Sequence, residues 1–287
     1  MEAKMRNDDR EVAPRGKIGQ GRVSVQAHCA ASLPEAWAAI SDPPEFAQWF
    51  GDLARPLRVG EQNRIEFGDG DFFDLMPRRV EPPELVFEWS FLGVGRRDLI
   101  TWQLTRTNSG VTVEVHDCNS SRSSAEADEM LSGWTDFLTR LQLHLRTGEK
   151  TRYAWRDDID GSVELAADDF HPLREPELYE WLPIASDGFA PSWFFVLDGE
   201  GPRRFPILDW VLEPDQQLRF AIDLSAERHH PACTVQVRDL GNGIRRLSFS
   251  HTGWNRLGWS EQRSQSMRRR FAASWIAALE SARSRTR

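Results

Sequence analysis

Lysine is almost missing from this chain. It occurs only at positions 4, 17 and 150, and arginine supplies the rest of the basic charge. Tyrosine is nearly as scarce, with two residues against twelve tryptophans. Cysteine appears three times, at 29, 118 and 233, an odd number without the paired spacing of a zinc site or a redox motif. That usage argues against a disulfide framework and for a reducing, cytoplasmic setting. Positive charge is in deficit, the formal net charge being −8, which argues against nucleic acid or anionic lipid as a partner. No apolar run approaches the roughly 20 residues of a membrane span, and the first twenty residues lack the apolar stretch of a secretory signal.

Catalytic signatures are missing too. There is no nucleophile elbow, no phosphate-binding glycine loop and no histidine pair at zinc-ligand helical spacing. Gly19-Gln20-Gly21 is too short and misplaced for a dinucleotide loop, and the adjacent His229-His230 cannot readily aim both rings at one metal from a strand. Neither a cofactor nor a metal is expected.

What is present is a module written twice. Trp49 and Trp181 lie 132 residues apart, as do Glu81-Pro82 and Glu213-Pro214. Ser109-Gly110 and Asn242-Gly243 follow at 133 residues, and Trp134 and Trp275 at 141, inside each copy's last helical segment. Matching signals at a nearly fixed offset indicate internal duplication. The division expected is a loose tail over 1–20, one domain over 21–148, a polar connector over 149–158 and a second domain over 159–287.

In the first copy Val23, Val25, Ala27 and Cys29 alternate with polar residues as in a half-buried strand. Ser32 and Glu35 form a capping box that opens a helix stopped at Asp42-Pro43-Pro44. A short helix carrying Phe46, Trp49 and Phe50 follows. Strands are expected around Ile65 and Phe67, over 72–80, over 85–91, around Ile100 to Leu104 and over 111–115, with turns at Gly68-Asp69-Gly70 and Asn108-Ser109-Gly110. A long amphipathic helix over about 125–146 closes the copy. A curved sheet cannot cover its own apolar face, so this helix should lie in its concavity. The fold class is α+β: two tandem helix-grip domains, each a curved antiparallel sheet around a long C-terminal helix.

The second copy repeats the strands, with inward sets such as Trp193/Phe195/Leu197 and Leu218/Phe220/Ile222, and ends in a helix presenting Met267, Phe271, Trp275 and Leu279. Its opening helices are degenerate. Asp168-Asp169-Phe170-His171-Pro172 and then Pro176 leave room for one short turn around Glu177 to Trp181. Arg268-Arg269-Arg270 reads as part of a solvated helical face.

Strand parity sorts the site candidates. Phe67, Phe87, Trp89, Phe91 and Trp102 point inward, and Trp49, Trp134, Phe137 and Leu141 face the same space. Trp193, Phe220, Phe271 and Trp275 are their counterparts in the second copy. Such rings either pack on one another or wall a pocket, since pockets are lined mostly by apolar and aromatic side chains. Asp117 and His251 have inward parity and are the catalytic candidates, the buried histidine as acid, base or ligand donor. His116 faces outward, Glu66 and Glu88 are solvated, His144 packs at the edge of the core, and Arg97 with Asp98 forms a surface ion pair.

This order of elements resembles the START/Bet v 1-like (SRPBCC) superfamily, and within it the branch named after a heat-shock-protein ATPase activator. Pro34-Glu35-Ala36-Trp37 before Asp42-Pro43, Trp49-Phe50-Gly51, and Glu81-Pro82-Pro83 before Trp89 match the branch's opening signatures. His251-Thr252-Gly253-Trp254 resembles its step before the last helix, whereas the first copy departs there with His116-Asp117-Cys118-Asn119. The resemblance implies a hydrophobic small molecule as partner, of polyketide or polycyclic type, in secondary metabolism (biosynthesis or self-resistance). Cyclase or aromatase activity at His251 and Asp117 is the enzymatic alternative, and a co-chaperone-like interaction module the third reading.

Overall fold

The computed structural model describes residues 12–19, 21–120, 122–153, 155–166, 170–188, 190–198, 201–224 and 229–286. Most of the tail expected over 1–20, the middle residue of Gly19-Gln20-Gly21 and the Asp168-Asp169 pair lie outside them. By spatial contact the chain forms two compact units. The first takes the residues up to Glu66, Asp74–Trp89 and Arg97–Tyr153. The second takes Phe67–Phe73, Ser90–Arg96 and the chain after Tyr153.

The first sheet holds β1 (Arg15–Gly19), β2 (Arg22–Cys29), β3 (Asp52–Leu53), β4 (Asn63–Glu66), β5 (Phe72–Glu81), β6 (Glu84–Phe91), β7 (Asp98–Thr107) and β8 (Gly110–Cys118). Helices α1 (Leu33–Ser41) and α2 (Pro43–Trp49) follow β2, and α3 (Ser124–Thr147) follows β8. The strands lie in the order β1-β2-β8-β7-β6-β5-β4-β3. Ser32 caps α1 with the expected reciprocal bonds to Glu35. Ser123 and Glu126 make a second capping box at α3, a signal present in the sequence and not used above. One strand was not anticipated. Residues 15–19, assigned to the loose tail, pair antiparallel with β2, from Arg15 opposite Gln26 to Gly19 opposite Arg22. Their flanking composition carries no apolar alternation; the backbone ladder with β2 and the close approach of Gly16 to Leu131 on α3 place them.

The second sheet holds β9 (Ile159–Ala166), β10 (Ile184–Ser186), β11 (Pro191–Asp198), β12 (Gly201–Glu213), β13 (Gln217–Ile222), β14 (Ala232–Gly241) and β15 (Ile244–Thr252). A single helical turn, α4 (Leu178–Trp181), stands where the first unit has α1 and α2. A one-turn 3-10 helix, Trp254–Leu257, precedes the closing helix α5 (Glu261–Ser284). The strand order β10-β11-β12-β13-β14-β15-β9 is the order of the first sheet without β1.

Side-chain bonds repeat as well. The indole N–H of Trp49 donates to Ala39 O at 2.8 Å, and that of Trp181 to Pro172 O at 2.8 Å. The duplicated tryptophans thus close the same local loop in both units, even though the helices before them differ. No disulfide joins the three cysteines. No helix among the described residues is long and apolar enough to cross a membrane.

Candidate functional site

The interior of the first unit is aromatic. Trp49, Trp102 and Trp134 are almost wholly buried, as are Phe50 and Leu141, with Phe87 and Trp89 close behind. Trp134, on α3, stacks on Trp89 at 5.1 Å between ring centroids and 13° between planes. It meets Trp102 edge-on at 5.5 Å and Phe50 at 6.3 Å. Phe137 is half-buried, touching Phe50 at 4.3 Å on one side and Tyr153 on the other. The structure therefore brings Trp49, Phe87, Trp89, Trp102, Trp134 and Phe137 together, ring against ring, and buries Leu141 on the same helix as the last two. Phe67 and Phe91 do not join them. Both are half-buried and lie in the segments that group with the second unit, where each packs on Phe73.

One end of this interior is polar. Asp117 on β8 is fully buried and accepts from the Trp134 indole at 2.9 Å and from Arg122 Nη2 at 2.5 Å. The same guanidinium reaches Asp98 at 3.1 Å, and Asn119 donates to Asp98 at 2.5 Å. Two carboxylates thus share one buried arginine. Burial, and then the charge of Asp117, push the Asp98 carboxyl up to about 6, against the opposing pull of Arg122 and Asn119. The surface ion pair expected between Arg97 and Asp98 is not formed. Arg97 approaches Glu88 instead, and Asp98 turns into the network. Position at a strand start suggested exposure, but the loop carrying Asn119 and Arg122 folds back over it.

The second unit repeats the plan with different chemistry. Trp275 on α5 stacks on Phe249 at 4.4 Å and 9°, and Phe271 stacks on Phe194 at 5.7 Å and 17°. Phe220 lies beside Phe194 and Trp275. Trp193 is not among them. Phe194 and Val196 are buried in β11, one register step from the expected set. Trp193 lies under the Arg204 guanidinium at 4.3 Å, its indole bonded to Asp187. Without an alignment anchor inside β11, five consecutive aromatic or apolar residues, Trp193 to Leu197, leave parity undetermined.

His251, on β15, is fully buried. Its Nδ1 accepts from the Trp275 indole at 3.2 Å, the counterpart of the Trp134–Asp117 bond. Burial, and then the charge of Arg268, push this imidazole down to about 3, so it is neutral near pH 7 and a poor general base. His251 Nε2 and Trp254 Nε1 are buried and meet no hydrogen-bond partner among the described residues.

Arg268 overturns the reading of the arginine run as solvated. It is fully buried and donates to Asp69 O at 2.7 Å, to Asp71 Oδ2 at 2.8 Å and to Asp158 O at 2.5 Å. The signal that could have found it is helical spacing, since 268 shares a face with Phe271 and Trp275. His229 and His230 are exposed, His116 bonds Ser24 on the outer face, and buried His144 meets the Glu149 carbonyl at 2.9 Å. Among the described residues no group of three or more histidines, cysteines or carboxylates could hold a metal ion. A surface depression of about 410 Å³ lies between Ala30–Glu35 and Arg106–Gly110, away from every aromatic named above.

Comparison with known proteins follows this geometry. Residues 30–163 match the family model described as Activator of Hsp90 ATPase homolog 1-like protein. Among solved structures, DynU16, a protein of the dynemicin biosynthetic locus, is 44% identical over 94% of this chain and 100% of its own, with a TM-score of 0.89. CalU16 from Micromonospora echinospora is 21% identical over 47% of this chain and 85% of its own, with a TM-score of 0.41. MLL2253 from Mesorhizobium loti is 21% identical over 44% of this chain and 98% of its own, with a TM-score of 0.40. No curated protein sequence matches the chain. A shared plan across the full length of DynU16, with an activator-type module in the first half and its repeat in the second, makes this chain a tandem member of the Activator of Hsp90 ATPase homolog 1-like branch of the SRPBCC superfamily.

Proposed function

We propose that the protein binds a flat, hydrophobic small molecule of polycyclic or polyketide type within its aromatic interiors, in secondary metabolism. The observation that carries this reading is the full-length similarity to a protein of an enediyne biosynthetic locus, in a chain whose interiors are walled by stacked rings. The rings now lie against one another, so a guest would enter by exchanging ring–ring contacts for ring–guest contacts. Such stacking contributes about 1 kcal/mol per pair beyond area burial, and the exchange is nearly balanced in that term. The net drive is the removal of the guest's own apolar surface from water, about 25 cal/mol per Å².

The test is a tryptophan fluorescence titration of the full chain with tricyclic aromatics and polyketide-like ligands. Saturable quenching that weakens at least tenfold in Trp134→Ala supports the reading; no saturable quenching by any of them overturns it. An acid–base role is favoured by one observation, the carboxylate pair sharing Arg122. Orienting a reactive chain can lower a cyclisation barrier by several kcal/mol, with Asp98 or Asp117 moving a proton. Full turnover of a converted substrate by Asp98→Asn and Asp117→Asn variants would exclude that role.

A further inference from the structure

The end of the second unit's interior carries two unsatisfied neutral donors, and the Nε–H of Arg268, whose charge acts on His251, is a third buried donor without a partner among the described residues. His251 Nδ1 is occupied as an acceptor by the Trp275 indole, so the one proton of the neutral ring sits on Nε2. That N–H and the indole N–H of Trp254 are both buried without an acceptor among the described residues. The two rings are neighbours, 4.9 Å between centroids, and Phe271 borders both at 5.2 and 5.3 Å. Leaving a buried donor unmet costs about 1–3 kcal/mol, so a pair of them on one wall is a demand for an oxygen.

The charge around them selects the kind of oxygen. Arg268 is the cation that acts on His251, and it already faces two buried carboxylates, Asp71 at 2.8 Å and Asp69 at 3.7 Å; Arg156, which reaches Asp71 at 3.5 Å, is itself paired with Asp160. A carboxylate or phosphate would add a further uncompensated negative charge to a dry site, whereas a carbonyl oxygen adds none and offers two lone pairs for the two N–H groups.

The approach of Trp254 to His251 has a structural basis. Trp254 opens the one-turn 3-10 helix, which is bounded by Gly253 (φ 92°) and Gly258 (φ 68°). Both glycines are left-handed and neither is crowded, Gly258 meeting nothing within 4 Å where a Cβ would stand. Such residues let a short segment turn sharply at each end, and this one carries the Trp254 ring back against His251.

We propose that His251 Nε2–H and Trp254 Nε1–H form a donor pair that receives a neutral carbonyl oxygen of a flat, apolar guest in the second unit. This rests on the binding reading above and specifies the guest's polar group. The test uses a matched pair of probes, 9-fluorenone and fluorene, which share a tricyclic body and differ in one carbonyl. Wild-type protein is expected to bind fluorenone about tenfold tighter, the size of one to two buried hydrogen bonds. The preference should vanish in His251→Phe and in Trp254→Phe while fluorene affinity stays within about threefold. Fluorenone, and not fluorene, should also move the Trp254 indole N–H resonance of the wild-type protein downfield, a readout that needs no variant to fold. Equal affinities for the two probes overturn the donor pair and leave the binding reading standing. No binding of either overturns the donor pair, and the binding reading falls with it only when the polyketide-like ligands also fail to quench.

Discussion

Replacing Arg268 by methionine removes a fully buried cation of the second unit while roughly keeping its apolar stem. Three bonds are lost, to Asp69 O, Asp71 Oδ2 and Asp158 O. Breaking a buried ion pair from one side costs about 3–5 kcal/mol, and each carbonyl left without a donor adds about 1–3 kcal/mol unless it relaxes toward water. These contributions overlap, so an overall loss of about 3 kcal/mol near pH 7.5 is the floor. Burial already raises the Asp71 carboxyl above its ordinary 3.8, and Arg268 is the principal group pulling it back. Without the arginine it rises further. A carboxyl raised in the folded state favours folding fully below the unfolded value and ceases to do so as pH climbs through the folded value. The deficit of Arg268→Met should therefore shrink at pH 4.5 and widen toward pH 7.5. Native-state hydrogen exchange of α5 amides reports on the second unit alone and does not require both units to unfold together. Protection in α5 should fall about a hundredfold at pH 7.5, and the added substitution Asp71→Asn should restore at least tenfold of it. A fall of less than about fivefold, independent of pH, would refute the buried pair as a determinant of the unit.

Asp98 offers a second test. Its carboxyl should titrate with a midpoint of about 6 when followed by carbon NMR. The shift is upward, so the folded state holds the proton longer and stability falls as pH rises from about 4 to 6. Asp98→Asn removes that loss but spoils one donor contact, leaving a net gain of about 1 kcal/mol at pH 8 and a net loss at pH 4; an unchanged order of stability at both pH values would contradict the network. For the thiols, Cys29 and Cys233 are buried and Cys118 is half-buried, and burial pushes the Cys233 thiol well above its ordinary range. Ellman's reagent on the native protein at pH 8 should modify one thiol quickly and two slowly. Three fast equivalents would show that the interiors open readily.

The architecture was legible because it is written in periodicity. Alternation fixed most strands, capping residues fixed α1, and the 132-residue offset exposed the repeat that the two sheets share in strand order. Legibility failed where neighbours distant in sequence decide. Arg268 looks like one of three surface arginines until Asp69 and Asp71, some two hundred residues earlier, are placed beside it. Asp98 looks like a strand-edge charge until Arg122 folds over it. Trp193 fell to parity, because β11 offers consecutive large apolar side chains and only packing against α5 selects Phe194. Phe67 and Phe91 have inward parity, yet Phe67 follows β4 and Phe91 ends β6, in segments that group with the second unit. Inward position was readable for Asp117 and His251; that one shares a guanidinium with Asp98 while the other is a neutral donor depends on Arg122 in the first case and on burial beside Arg268 in the second.

The most direct measurement is a titration of the indole N–H resonances of the full chain, labelled at tryptophan, with fluorene. Interior binding requires saturable shifts at buried rings such as Trp89, Trp134 and Trp275, with one binding constant per unit. Shifts confined to half-buried Trp193 and Trp259, or none that saturate, would mean that the stacked rings are a solid core and that the guest, if any, binds elsewhere.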